Sequence, residues 1–267
     1  MLRTILFASA CLVATAAGAQ TQCQSYAGQT IAPLTFDQAL TRMPSLAPRG
    51  EYETTAQYEA RRAAAGGGRG PLVILKQPEN RDTFIRYDAD NGRLGIQGYA
   101  FDNTNFDAWT ALYGTPHADT LNPSTIGNRD VVISSRDTPA GTYQGRNAFG
   151  ATWTVTRINR TTQAIYEGPQ PGLTTSLFPS AERSTNIVGY LDMSPEVAQR
   201  AKPTLKLAFV VEPREPFVVR RTYAGRGRIT IQNPRDVTEN TIILVGDIQC
   251  GLVLDATNRV LAAYPTR

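Results

Sequence analysis

Histidine is almost missing from this chain. His117, in "YGTPHAD", is the only one in 267 residues. Any Ser-His-Asp or Cys-His site would have to use it, and a zinc site built on several histidines is excluded. Its loop context favours an ordinary surface residue. Cysteine is scarce as well, with three in all. That count excludes a cysteine-rich metal site, and no C-x-x-C redox pair is present. Lysine is also rare: of 27 basic residues, only Lys76, Lys202 and Lys206 are not arginine. No stretch reaches the 18 or so consecutive apolar residues of a membrane-spanning helix. The chain has no G-x-S-x-G and no phosphate-binding Walker loop. The "GGGRG" run at 66–70 lacks a following Lys-Ser/Thr and a preceding strand, so it reads as a hinge. No cofactor and no metal are expected.

The start of the chain, "MLRTILFASACLVATAAGAQ", has one basic residue, then an apolar run of 13 residues from Ile5 to Ala17, then Ala17-Gly18-Ala19. This is the pattern of a secretory signal peptide over residues 1–19. Cys11 sits inside the apolar run, which argues against lipidation. Removing Arg3 with that segment leaves 26 basic and 23 acidic residues, net +3. So mild a balance does not call for a nucleic-acid partner. Cys23 and Cys250 are then the remaining cysteines. In an exported protein, an even count of two favours one disulfide. It would tie the N-terminus to the last long strand.

Residues 20–70 form a helical extension. Thr35 caps "FDQALTRM", with Phe36, Ala39, Leu40 and Met43 as an apolar stripe. Thr54, with Gln57 three residues on, caps a second helix that stops at Gly66-Gly67-Gly68. That helix carries one aromatic, Tyr58, within reach of Arg61 or Arg62. Its apolar area is too small for independent stability, so it is expected to dock on a sheet. Residues 71–267 then change period. Ten to twelve short strands, among them "RDVVISSRD" and "GTYQGRN", "ATWTVTRI" and "RTTQAIYEG", "TLKLAFVVE", "PFVVRRTYA" and "GRITIQ", are expected against three short helices, the last capped by Ser194 before Pro195, with two halves possible on either side of the Gly/Pro/Ser/Thr-rich stretch 168–186. The fold class is mainly β (α+β): an antiparallel sheet or sandwich with a few short helices and one disulfide.

Four segments, "EYETTAQYEAR", "YDADNG", "YQGRNAFG" and "MSPEVAQRAKPTLKL", resemble a group of exported bacterial proteins of unknown function. That group shares a Phe/Tyr-Glu-Thr-Thr helix and an Asn-Ala-Phe-Gly segment. Tyr52 stands where phenylalanine is usual. The resemblance implies export and a β-rich fold, and it brings no activity with it.

Asp88, Asp90, Asn91 and Gly92 resemble a calcium loop, but Gly92 falls at position 5 and position 12 is Tyr99, so a hairpin turn accounts for them. In "NAFG", Asn147 and Gly150 suit a tight turn, with Phe149 expected to plug the core. The most uneven stretch is Arg214 to Arg235, with one acid, Glu215. Arg220, Arg221, Tyr223, Arg226 and Arg228 form a candidate anion patch there, although strand alternation splits Arg220 from Arg221. The resulting expectation is a non-enzymatic, exported envelope-associated binding or accessory protein. Its partner would be an envelope polyanion or an acidic protein. The alternative is a periplasmic hydrolase using paired carboxylates, for which no local pair stands out among the 13 Asp and 10 Glu.

Overall fold

Strands are favoured after Gly70 because β-branched and aromatic residues alternate with polar ones. In the computed structural model they fuse into fewer and longer elements than the turn residues imply. The structure describes residues 22–44, 49–66, 70–102, 104, 106–170, 177–182, 184–225, 227 and 229–266. The signal-peptide segment, most of the glycine run after Gly66, and Arg226 and Arg228 lie outside them. Nine strands are present among the described residues. They are β1 (Leu72–Lys76), β2 (Ile85–Asp88), β3 (Arg93–Gln97), β4 (Asn128–Arg146), β5 (Thr152–Pro169), β6 (Ile187–Asp192), β7 (Lys206–Ala224), β8 (Arg235–Leu254) and β9 (Val260–Pro265).

Fusion explains the lower count. "TLKLAFVVE" and "PFVVRRTYA" were expected as two strands, but they are one 19-residue strand that passes Pro213–Pro216 by a shift of register. β4 and β5 each absorb two expected strands in the same way. "GRITIQ" is not a strand.

Two sheets result. The large one runs β1-β7-β8-β5-β4, with β9 also on β8, and the small one runs β2-β3-β6. Pairing is antiparallel except for β5 with β8. β4 and β5 come before the 168–186 stretch and β7 to β9 after it, so both halves share one sheet. The main core lies between the sheets. It holds Ile85, Leu94, Ile96, Phe101, Phe178, Leu207, Phe209, Leu244 and Val253. Phe101, Phe178, Phe209 and Tyr264 form its aromatic centre, with ring centroids 4.7 to 6.4 Å apart.

Helix α1 (Phe36–Thr41) docks on this core through Phe36 and Ala39, and a complete capping box of Thr35 and Gln38 starts it. Helix α2 (Thr55–Gly66) was expected to dock on a sheet, and the side chains of Arg62 and Ala65 on it lie outside those described. It has its capping box, Thr54 with Gln57, and Arg61 makes a two-pronged ion pair with Glu53 at 2.8 and 2.9 Å. The Arg61 guanidinium lies 5.2 Å from the Tyr58 ring. None of its described side chains joins the core. Local bonds hold its described residues. Phe149 is a correction: it is 97% exposed, at the tip of the β4–β5 hairpin. Asn147 Oδ1 accepts the N–H groups of Phe149 and Ala151, so the turn is satisfied by itself and needs no buried plug.

Cys23 and Cys250 are bridged, with Cα atoms 5.7 Å apart and a sequence separation of 227. Both are buried with Ala208, Val210, Leu252, Leu254 and Val260, and Tyr26 and Ile31 pack over that cluster. The bridge therefore fastens the N-terminal segment across β7 and β8. Such a long loop puts the chain-entropy contribution at about 3–5 kcal/mol. Replacing both cysteines by serine should lower Tm by more than about 6 °C, read by calorimetry. An unchanged Tm would mean that packing alone holds the segment.

Candidate functional site

The small sheet carries a cavity. It has a volume of about 330 Å³ and is lined by Arg86, Arg93, Gly95, Gln97, Glu182 and Tyr190, among others. The register explains it. Arg86, Gly95 and Tyr190 form one row across the three strands, and Asp88, Arg93 and Asp192 form the next row. Gly95 leaves a gap in the middle of its row. A Cβ there would stand 3.4 Å from Tyr190 Cε1 and from Ile187 Cδ1, so the tyrosine ring leans over the bare backbone.

The ring is fixed at both ends. Its hydroxyl donates to Glu182 Oε2 at 2.7 Å, and the Arg93 guanidinium stacks 3.7 Å from its centroid. Arg93 Nε is held by Asp88 Oδ2 at 3.2 Å. The hydrogen bond from Tyr190 holds the Glu182 carboxyl below its ordinary range, and one from Asn91 does the same for Asp88. Both acids are anionic and already partnered. Arg86 spends Nε on the carbonyl of Thr83 at 2.9 Å, which leaves the terminal fork of its guanidinium at the cavity.

A second cluster of charge sits where the large sheet curls round. The ends of β1 and β4 approach each other there. Lys76, only 3% exposed, donates from Nζ to the carbonyl of Val132 and pairs with Glu79 at 2.5 Å. Asp102, at the end of α4 (Gly98–Phe101), which follows the short α3 (Arg81–Phe84), accepts the Val132 N–H. One residue of the edge strand thus has both backbone groups satisfied by side chains. Burial pushes the Asp102 carboxyl up to about 7, against the attraction of Lys76. Burial, then Asp102 and Asp107, push Asp130 up to about 8. This is the carboxyl pair that no local sequence signal revealed, because its members come from a helix end and a distant strand.

Of the candidate arginine patch, Arg226 and Arg228 lie outside the described residues, and Arg220, Arg221 and Tyr223 can be placed. Arg220 is exposed, in register with Ile242. Arg221 and Tyr223 alternate with it, and Arg221 donates from Nη1 to the carbonyl of Thr110 in α5 (Ala108–Leu112). Its guanidinium also lies 5.2 Å from the Tyr223 ring. Arg221 is therefore engaged in holding α5. His117 is half-buried, at the start of a four-residue helix, α6 (Ala118–Leu121). Among the described residues no group of three or more His, Cys, Asp or Glu side chains could hold a metal ion. No described helix is long and apolar enough to cross a membrane.

The raised carboxyls give a pH signature with a definite sign. Their folded values lie above the ordinary carboxylate value of about 3.9. The stability they allow is fully present below that value and is lost as pH rises through about 7 and 8. Asp130→Asn should therefore raise stability over the natural chain by about 1–2 kcal/mol at pH 9, and by almost nothing at pH 4. Urea denaturation at the two pH values reads this difference. Equal gains at both would sink the assignment.

Compared with known proteins, the chain matches no family model, no curated protein and no solved structure.

Proposed function

We propose that this is an exported, non-enzymatic binding or accessory protein of the bacterial envelope that takes an anionic envelope component on its small sheet. The disulfide supports export, since such bonds persist in oxidising compartments. The signal-peptide pattern of residues 1–19 supports it as well. The observation that carries the binding reading is the cavity itself. Its aromatic wall is locked by Arg93 and Glu182, its acids are internally partnered, and Arg86 brings a guanidinium whose one hydrogen bond uses Nε. The contact surface moves from the arginine-rich strands to β2, β3 and β6, since Arg221 is engaged with α5 and Arg220 alternates with it.

A periplasmic hydrolase is the second reading, favoured by Asp102 and Asp130. Two carboxyls held partly protonated near neutral pH are the equipment for acid and base roles. Asp102 already has a structural task at the Val132 N–H, which is why binding ranks first.

The deciding measurement is co-sedimentation of the mature protein with isolated envelope fractions at low and high salt. Pelleting should occur at low salt, fall severalfold in Arg86→Ala, and persist in Arg220→Ala. Loss in Arg220→Ala or in an Arg226→Ala/Arg228→Ala double variant, with Arg86→Ala unaffected, would return the site to the arginine strands. No pelleting at any salt would overturn the binding reading. Glycoside or ester hydrolysis that Asp102→Asn abolishes would establish the second.

A further inference from the structure

The cavity on the small sheet also indicates the kind of ligand it takes. We infer that it binds a single sugar ring bearing a carboxylate, a uronic-acid type unit. This inference rests on the binding reading above.

Size comes first. At about 330 Å³ the cavity is at the small end of ligand sites, which run from roughly 300 to 1,000 Å³. It suits a small ring rather than an extended chain. Shape comes second. Strands stand about 4.8 Å apart, so Arg86 and Tyr190 flank Gly95 at about two strand spacings. Between them the floor is backbone, with Tyr190 leaning over it. Ile187 and the Tyr190 ring provide an apolar wall, and Gln97 and Thr185 provide polar groups on the same cavity. A sugar ring has an apolar C–H face and a polar rim of hydroxyls, which fits such mixed walls.

Charge comes third. Asp88 and Glu182 are partnered within the protein, and Arg93 gives its Nε to Asp88 and its guanidinium face to the ring of Tyr190. The Arg86 fork remains, and it matches a carboxylate in two-pronged geometry. A neutral sugar would leave that fork unused. An acidic peptide would meet the fork too, but peptides gain affinity from main-chain bonds along a sheet edge. This cavity is built on a sheet face.

The ring position is prepared in advance. Glu182, which holds the Tyr190 hydroxyl, also receives hydrogen bonds from Ser184 and Thr185. Little side-chain freedom remains to be lost when a ligand settles against the tyrosine.

The test uses the disulfide-bonded mature protein in isothermal titration with glucuronate, glucose, inorganic phosphate and a triglutamate peptide as probes. Glucuronate should bind saturably and at least tenfold more tightly than glucose or phosphate. Arg86→Met should weaken it at least tenfold, Gly95→Val should abolish it by filling the row, and Arg220→Ala should leave it unchanged. Circular dichroism and Tm of each variant show that the fold is intact. Phosphate binding as well as glucuronate would overturn the inference in favour of a bare anion site. Tighter binding of triglutamate would overturn it in favour of a peptide. No binding of any probe, with envelope pelleting that still depends on Arg86, would overturn the sugar assignment and leave the binding reading standing. Loss of both would remove the two together.

Discussion

Strand β8 is the element on which the rest of this structure depends. It is 20 residues long and pairs with β7 on one side over most of its length. On the other side its first half carries β5, in parallel, and its second half carries β9. Three different partners therefore share one backbone. Its side chains then divide by alternation between separate cores. Leu244, Ile248 and Val253 enter the core beneath the small sheet, Ile243 and Val245 pack against α5, and Cys250, Leu252 and Leu254 lie under the N-terminal segment. The disulfide is anchored on this same strand. A sheet whose edges lie this far apart must curl to bury both faces, and curling brings β1 toward β4.

That approach creates an edge with unpaired backbone groups, and the chain answers it with charge. Lys76 and Asp102 take the C=O and N–H of Val132. An ammonium and a carboxyl do here what a further strand would do in a closed barrel. Burying them costs solvation, and the strain is visible in the raised Asp102 and Asp130 carboxyls. The outer half of the large sheet, away from any core, uses charge differently. Asp137, Arg160 and Glu239 lie in one row across β4, β5 and β8, and Arg235 joins at Asp137. These pairs are solvent-accessible, and each contributes little alone. Their value lies in keeping a long exposed sheet polar.

Local signals were legible in the sequence, and distant ones were not. The capping boxes at Thr35 and Thr54, the Ser194 cap before Pro195, the turn after Asp88, the Cys23–Cys250 bridge and the separation of Arg220 from Arg221 all follow from spacing within a few residues or from simple counting. Strand ends were misjudged at Pro213–Pro216, because a proline that interrupts pairing need not end the strand when the register can shift. Phe149 was misplaced for a related reason: it was assumed to need a core, and its turn is satisfied by local hydrogen bonds. The cavity was invisible because its parts come from three strands that meet only in the folded sheet. Gly95 was the nearest thing to a clue, as an isolated glycine inside an alternating strand often marks a close approach of another group.

The small sheet is thin, and two glycines make both of its faces serve. Gly189, on β6, leaves room on the inner face. A Cβ there would meet Tyr264 of β9 at 2.3 Å, so the tyrosine ring lies hard against the backbone. Tyr264 belongs to the aromatic centre with Phe101, and it couples β6 to the large sheet. Gly95, on β3, does the same on the outer face for Tyr190. Gly189 pairs with Ile96, the residue after Gly95. The tyrosine that walls the cavity and the tyrosine that locks the core thus stand on opposite sides of neighbouring backbone. On the binding reading proposed above, a face so closely backed by packed rings would not yield to fit a poor ligand. It would discriminate by shape and by the placement of its guanidinium groups, giving up adaptability in exchange.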